Sequence, residues 1–458
     1  MHDILILGGE VVDPANGRQG CFDLAIEHGK VAQVAPDLSN QPAREVVRAD
    51  GKWVFPGLVD PHVHVSARPE GYRMMARAGV TCALDMAGVA SEIILGLRQA
   101  GAGLAVGFLY PLIPGDTVGD RDPGRAELKR VVDEALRQGA LGVKVVGGHY
   151  PLTPDATALA IRVAYEMGCW CAVHAGTTTA GSTIEGLEEL VVLSDGLPLH
   201  IAHVNSYCRG QITGDPLVEA SRALKALARA PAARSESYLS LFNGTNGAME
   251  SGMPTSNVTA TCLAAGGYPQ TADGMVAAIA AGWAHVHGVR GGEMVLLPPE
   301  DGLAAYRAAE SQAYVSFAVN SPSAAIALAV ARSDQAFAVT ALSTDGGAIP
   351  RNVTLEKGLA LVRFGALSLA DFVTKACLNP ARMLGAESKG HVGVGADADV
   401  AVVDPVTDRA EWVFASGQAI VSVGEVVGQG GSLLTTECGQ TTLSEQGVEC
   451  HVVRPDWL

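Results

Sequence analysis

The chain has 458 residues, 48% of them hydrophobic and 17% charged, which is enough to bury a large core and too long for one small domain. A formal net charge of −16 argues against nucleic-acid and anionic-membrane partners, because both reward clustered Lys and Arg. Apolar runs break well short of the roughly 18 residues of a membrane span, and the N-terminus MHDILILGGEVVD turns acidic where a signal peptide needs a cleavage site. Nine scattered cysteines lack a CxxC pair, so a reduced, cytoplasmic, globular protein is expected, with the CWC of residues 169–171 packing in a strand.

In chain order, residues 3–57 carry short apolar runs punctuated by Gly, Pro and Asp, which predict turn-linked strands. The same texture returns in GHVGVGADADVAVVDP (390–405) and WVFASGQAIVSVGEVVG (412–428). The two ends are therefore expected to pair into one small β domain, built from residues 1–57 and 385–458, around a central unit of residues 58–384. In that unit the runs VTCALDM, LAVGFLYPLI, LGVKVVGG, CWCAVHAG, LPLHIAHVN, AYVSFAVN and FAVTALSTDGG alternate with stretches of helical period. This pattern predicts an α/β fold with a parallel sheet, and its length fits a (β/α)8 barrel.

Catalytic groups of such a barrel come from the C-terminal ends of its strands. His62 and His64 end the first run in FPGLVDPHVHV, and the alternation of a strand puts both on one face, where a single metal ion can take them. Lys144, His174, His203 and Asp345 end later runs. Imidazole and carboxylate suit zinc and similar divalent ions. A lysine sequestered there has a depressed pKa, and its neutral amine can take up carbon dioxide as a carbamate, an anionic ligand able to bridge two cations. His200 is expected to face away from His203 and pack against a helix. His285 and His287 repeat the HxH spacing but lack matching partners and read as structural.

FPGLVDPHVH, GVKVV, VHAG, IAHVN, STDGG, NPARMLG (379–385) and GVGADADVAVVD (393–404) resemble, in order and spacing, the amidohydrolase superfamily, especially its binuclear dihydroorotase, hydantoinase and isoaspartyl-dipeptidase-like branch. The likeness runs from Ile4 to about Gly424. It implies a TIM barrel with a small β-sandwich domain formed from the N- and C-terminal segments. It also implies two divalent metal ions, most simply Zn2+. His62, His64 and Asp345 would hold the more buried ion, His174 and His203 the more exposed one, and N6-carboxylated Lys144 would bridge them with a hydroxide.

The implied reaction is hydrolysis of an amide C–N bond by that hydroxide, with Asp345 moving the proton. The substrate would be a small-molecule amide, either cyclic (hydantoin, imide or lactam) or an N-acyl amino acid or dipeptide-like compound. Hydantoinases carry an oxyanion-binding tyrosine five residues after the bridging lysine; here His149 stands there and Tyr150 follows, and either is a candidate. Dihydroorotases resemble HxHxR, whereas this chain reads His62, Val63, His64, Val65, Ser66, which disfavours that activity and leaves Arg68 as the nearest arginine for an acidic substrate. Asn320 and Ser321 in VNSPSA are further candidates to meet the amide.

The segment 242–269, placed between the sixth and seventh strands, has the length of a lid or oligomer contact, and its low charge suggests a modest polar or apolar substrate. Two other readings share the fold. A mononuclear heterocycle deaminase calls for Glu three residues after the sixth-strand histidine and no fourth-strand lysine, against Ser206 and Lys144 here. A catalytically silent oligomeric interaction protein would have lost ligands that this chain keeps. The resemblance further implies a homo-oligomer, dimer or tetramer.

Overall fold

Eight parallel strands form the barrel in the computed structural model, which describes residues 1–334 and 336–457. In order they are Leu58–His64, Val80–Asp85, Leu104–Leu112, Gly142–Val146, Trp170–His174, His200–Ile201, Arg234–Tyr238 and Ala341–Ser343. Each pairs in parallel with the next. The eighth breaks at Thr344 and Asp345 and resumes as Gly346–Gly347, where Gly346 pairs with Val63 and Gly347 with His64, closing the ring. The second and third strands are almost wholly buried, which is why their sequences are continuous apolar runs rather than alternating ones. Helices cover the outside. In Arg125–Arg137 the buried residues Leu128, Val131, Val132, Ala135 and Leu136 recur at helical spacing, and Pro154–Glu166 starts at Thr153, whose side chain accepts from the Ala156 N–H.

The seventh strand departs from expectation. It is RSESY, residues Arg234–Tyr238, and not the apolar AYVSFAVN. The strand is polar because it buries Glu236 against His62, the His203 backbone and Ser343, with Ser235 and Ser237 buried on either side of it. The run AYVSFAVN instead supplies Tyr314–Phe317 to an inserted unit, and the segment 242–269 consequently follows the seventh strand rather than preceding it. Strands Asn243–Asn246, Ala284–Arg290, Glu293–Leu296 and Tyr314–Phe317 make a four-stranded sheet there. Its own core includes Leu263, Met275, Ile279, Val286, Tyr306 and Phe317. Arg77 Nε, on the helix Pro69–Arg77 behind the first barrel strand, pairs with Glu293 at 2.9 Å and ties the unit to the barrel.

The two chain ends meet in one nine-stranded sheet, as expected. The junction is antiparallel, with Val400 opposite Pro56 and Val402 opposite Val54, over a core of Ile4, Ile6, Val11, Leu24, Ile26, Val54, Val400 and Phe414. The region 385–458 divides, however. Strands from Val400 to Val426 join this sheet, whereas Gly431–Thr435 pairs in parallel with the start of the third barrel strand, Leu433 opposite Val106. The tail then seals the barrel floor: the Trp457 ring lies 5.0 Å from that of Trp170 at 88°, and Trp457 Nε1 donates to the Met383 carbonyl at 2.8 Å. All nine cysteines are free, with Cys169 and Cys171 buried. Among the described residues no helix is long and apolar enough to cross a membrane.

Candidate active site

His62 and His64 project from one face of the first strand, with Val63 buried on the other. Their Nε2 atoms lie 3.3 Å and 3.1 Å from Asp345 Oδ1. One donor atom from each of the three residues falls within 4.8 Å of the others, the separation at which one cation can be shared. The His203 ring stands 5.1 Å from that of His62 and 4.4 Å from that of His174. Five of the six residues expected to act together are therefore gathered at the C-terminal end of one barrel, with the sixth, Lys144, buried beside them.

Two of these positions depend on the chain leaving its strand. His203 has φ 33° and Asp345 φ 50°, left-handed conformations that cost a non-glycine residue about 1 kcal/mol. This corrects the expectation for His200. A regular strand would point His200 and His203 oppositely, but the sixth strand ends at Ile201, so both turn inward. His200 is fully buried against Trp170 at 5.6 Å between rings, with Nε2 3.7 Å from Glu236 Oε1.

Glu236 is the central residue that sequence reading missed. It is fully buried, and its Oε1 lies 2.6 Å from His62 Nδ1 and accepts from the His203 backbone N–H at 2.6 Å. Oε2 accepts from the Ser343 hydroxyl. Burial would raise its pKa, but His62 and His200 outweigh that and hold the carboxyl well below its usual range. An ionised carboxylate only accepts, so His62 must donate from Nδ1 and present its Nε2 lone pair toward Asp345. Asp60 works from the same strand as His62: its carboxylate accepts from the His62 and Thr344 N–H groups at 3.1 and 3.2 Å and from the Thr344 hydroxyl at 2.6 Å. Asp85 accepts from the backbone of Val65, Ser66 and Ala87 and shapes the turn after His64.

Arg351, also missed, is fully buried beside Asp345. Its Nη2 lies 2.7 Å from Asp345 Oδ2, its Nε donates to the Asp345 carbonyl, and its Nη1 donates to the Phe242 carbonyl at 3.1 Å. Burial acts to raise the Asp345 pKa, yet Arg351 and His62 hold it well below the carboxylate range. The only signals for these two residues were an acid in the middle of RSESY and an arginine in IPRN, six residues after Asp345.

Among the described residues no carboxylate pairs with Lys144, whose Nζ donates to Met86 Sδ at 3.7 Å. Burial brings its pKa down to about 8. His174 Nε2 meets the Ser182 hydroxyl at 2.8 Å, and a Cβ at Gly148 would stand 2.1 Å from that nitrogen, so a side chain there would displace the His174 ring or the loop. His203 Nδ1 is buried without a hydrogen-bond partner. An orphaned imidazole nitrogen, an unpaired buried lysine and a three-donor cluster form a donor set that fits divalent metal ions.

A cavity of about 560 Å³ opens above this cluster and is lined by Arg68, His149, Tyr150, Arg209, Asn243, Thr261 and Tyr314 among others. His149 faces His174 with rings 5.3 Å apart, and burial lowers its pKa to about 4. Tyr150 is 46% exposed at the rim. Arg68 lies 4.3 Å over the Tyr314 ring. Asn320 and Ser321 are outside the cavity lining. Asn320 is buried, its Nδ2 directed at the Tyr238 hydroxyl and the Ser240 and Phe242 carbonyls, whereas Ser321 caps the helix Pro322–Val330 by accepting from the Ala324 N–H. His285 packs on Phe242 and His287 meets Ser316 at 2.8 Å, as structural histidines do.

The fold and the cluster define a class: a (β/α)8 barrel with a composite β domain and a metal-binding group at the C-terminal mouth. Residues 237–429 match the model of the amidohydrolase family. A dihydroorotase of Anaeromyxobacter sp. (strain K) is 31% identical over 247 residues, 45% of this chain and 55% of the relative. The chain thus spans about half the length of such curated relatives. Among solved structures, N-acyl-D-glutamate deacylase from Bordetella bronchiseptica, complexed with zinc and a phosphonate inhibitor, superposes with a TM-score of 0.66 at 18% identity, over 94% of this chain and 99% of that one. D-Hydantoinase from Thermus sp. gives 0.59 at 18%, over 94% and 98%. Residues 237–429 thus resemble the amidohydrolase family, and the chain has the fold of these two enzymes.

Proposed function

We propose that the chain is a divalent-metal-dependent hydrolase that opens an amide C–N bond in a cyclic amide, an N-acyl amino acid or a dipeptide-like compound. The observation that carries this reading is the meeting of His62, His64 and Asp345 within 4.8 Å, with His174, His203 and Lys144 alongside. His62, His64 and Asp345 would hold one ion, His174 and His203 a second, with N6-carboxylated Lys144 between them. Zinc is supported by the zinc-containing deacylase that shares the fold. When bound, such ions polarise the scissile carbonyl and acidify water.

The chain's own part follows from its geometry. Asp345 is kept ionised by Arg351 and the histidines, so its carboxylate can take the proton from the attacking water and return it to the leaving nitrogen. Burial lowers the Lys144 pKa to about 8, which makes the neutral amine, the form that takes up carbon dioxide, far more available near neutral pH than in a free lysine. His149 sits deeper than Tyr150 and is neutral at physiological pH, which makes its ring N–H the better donor to a developing oxyanion. The deaminase reading gains no support, since Ser206 hydrogen-bonds the Tyr238 hydroxyl at 2.9 Å and faces no catalytic acid. A cytoplasmic homo-oligomer belongs to the same reading and rests on the resemblance.

The test is metal content per chain, by elemental analysis of protein expressed with zinc and bicarbonate, followed by a panel of cyclic and acyl amides. About two equivalents and hydrolysis of at least one class are expected; a folded chain that keeps no metal and cleaves nothing overturns the proposal. Asp345→Asn should lower kcat about 10³-fold with thermal melting unchanged.

A further inference from the structure

The charge of the cavity runs against that of the molecule. The chain carries a net −16, yet the side chains around this cavity include Arg68, Arg209 and Arg351 against a single carboxylate, Asp345. Arg351 is committed to Asp345 and two backbone carbonyls. Arg209 is not committed. Its Nε donates to Asn320 Oδ1 at 3.0 Å, and among the described residues no carboxylate pairs with it.

Asn320 is fixed in turn. Its Nδ2 is aimed at three oxygens at the end of the seventh strand, at 3.1, 3.2 and 3.1 Å, so only its carbonyl oxygen is left to meet the arginine. That contact orients the guanidinium through one nitrogen and leaves both terminal NH2 groups free, the pair that binds a carboxylate through two parallel hydrogen bonds. A half-buried guanidinium without a counter-charge has lost solvation with no return until an anion arrives.

We propose that Arg209 is the subsite for a carboxylate on the substrate, with Asn320 as its positioning residue. The substrate is then an acidic amide, such as an N-acyl amino acid or a ring bearing a carboxylate arm, and not a neutral ring. This rests on the hydrolase reading and narrows it. It also narrows the sequence-based expectation of a modest polar or apolar substrate: the low charge of the segment 242–269 describes one wall, whereas the arginine stands on the loop after the sixth strand.

Paired probes that differ only in charge test it: N-acetylalanine against its carboxamide, and hydantoin-5-acetate against hydantoin-5-acetamide, each as both enantiomers. Binding is measured by calorimetry on zinc-loaded Asp345→Asn protein, and turnover on the wild type. The carboxylate of at least one pair should bind about tenfold tighter, and Arg209→Met should bring that ratio close to one, with Arg209→Lys between. Equal binding of both members of every pair by the folded, zinc-loaded Asp345→Asn protein with Arg209 intact overturns the subsite, whatever becomes of the Arg209 variants. A preference abolished by Arg68→Met but kept by Arg209→Met overturns the assignment to Arg209. Hydrolysis of the neutral members alone would sink the subsite and leave the hydrolase standing; Arg209-dependent binding without hydrolysis of any probe would do the reverse.

Discussion

Glu236 shows how much of a metal-type site lies behind its ligands. Its carboxylate holds a side chain of the first strand, the backbone of the sixth and a hydroxyl of the eighth, so one residue of the seventh strand sets the mutual positions of His62 and His203. Glu236→Gln keeps an acceptor oxygen of the same shape but removes the charge that makes His62 a stronger electron donor. The expected result is metal affinity lower by about tenfold, read by competition with a chelator, in a protein that melts normally. Equal affinity would show the charge to be incidental. The candidate ligands themselves were legible because HxH at a strand end, and single Lys, His or Asp residues at later strand ends, form a pattern. Glu236 and Arg351 form none: a buried charge is recognised by its partners, which lie more than 100 residues away for the Glu236 bonds to His62 and Ser343 and for the Arg351 bond to Phe242.

At the scale of elements, the informative places are those where a strand stops. The sixth strand yields to the left-handed His203 and the eighth to the left-handed Asp345, and each break turns a side chain that regular alternation would have aimed elsewhere. This is why period-2 reasoning succeeded for His62 and His64, inside a regular strand, and failed for His200. Apolar runs located most barrel strands, but the seventh was hidden by its own function, since a strand that buries Ser, Glu and Ser does not look like one, and Tyr314–Phe317 offered an apolar decoy. The loop after the fourth strand adds a constraint of its own. Gly148→Ala places a methyl where His174 Nε2 now lies, and the ring must move. We expect the variant to fold but to retain about one metal equivalent fewer than wild type by elemental analysis; an unchanged content would show that the loop yields instead.

Across the whole molecule, acidic groups dominate the charge, and one cluster of them ties the two chain ends together. Lys389 bridges Asp397 at 3.1 Å and Asp399 at 2.9 Å, and Lys30 from the N-terminal segment reaches the same Asp397. Burial opposes ionisation of Asp397, but Lys389 and Lys30 prevail and hold its pKa at about 2. Because this folded value lies below the unfolded one of about 3.9, the latch is at full strength above pH ~4 and is lost as pH falls toward 2. Asp397→Asn should therefore flatten the fall in melting temperature over that window while leaving the cavity intact; an unaltered acid limb would place the sensitivity elsewhere.

The same sheet that this latch secures joins Trp53–Pro56 to Val400–Asp404, on opposite sides of the barrel in sequence. A ribosome makes the chain in one direction, so the first strands emerge long before their partners and carry an unpaired, apolar edge while the entire barrel is synthesised. Such an edge is where neighbouring chains pair by mistake. How fast the barrel closes and brings residue 400 back to residue 56 then sets how long each new molecule spends exposed to its siblings, and production yield should follow synthesis temperature more steeply than the stability of the finished fold does.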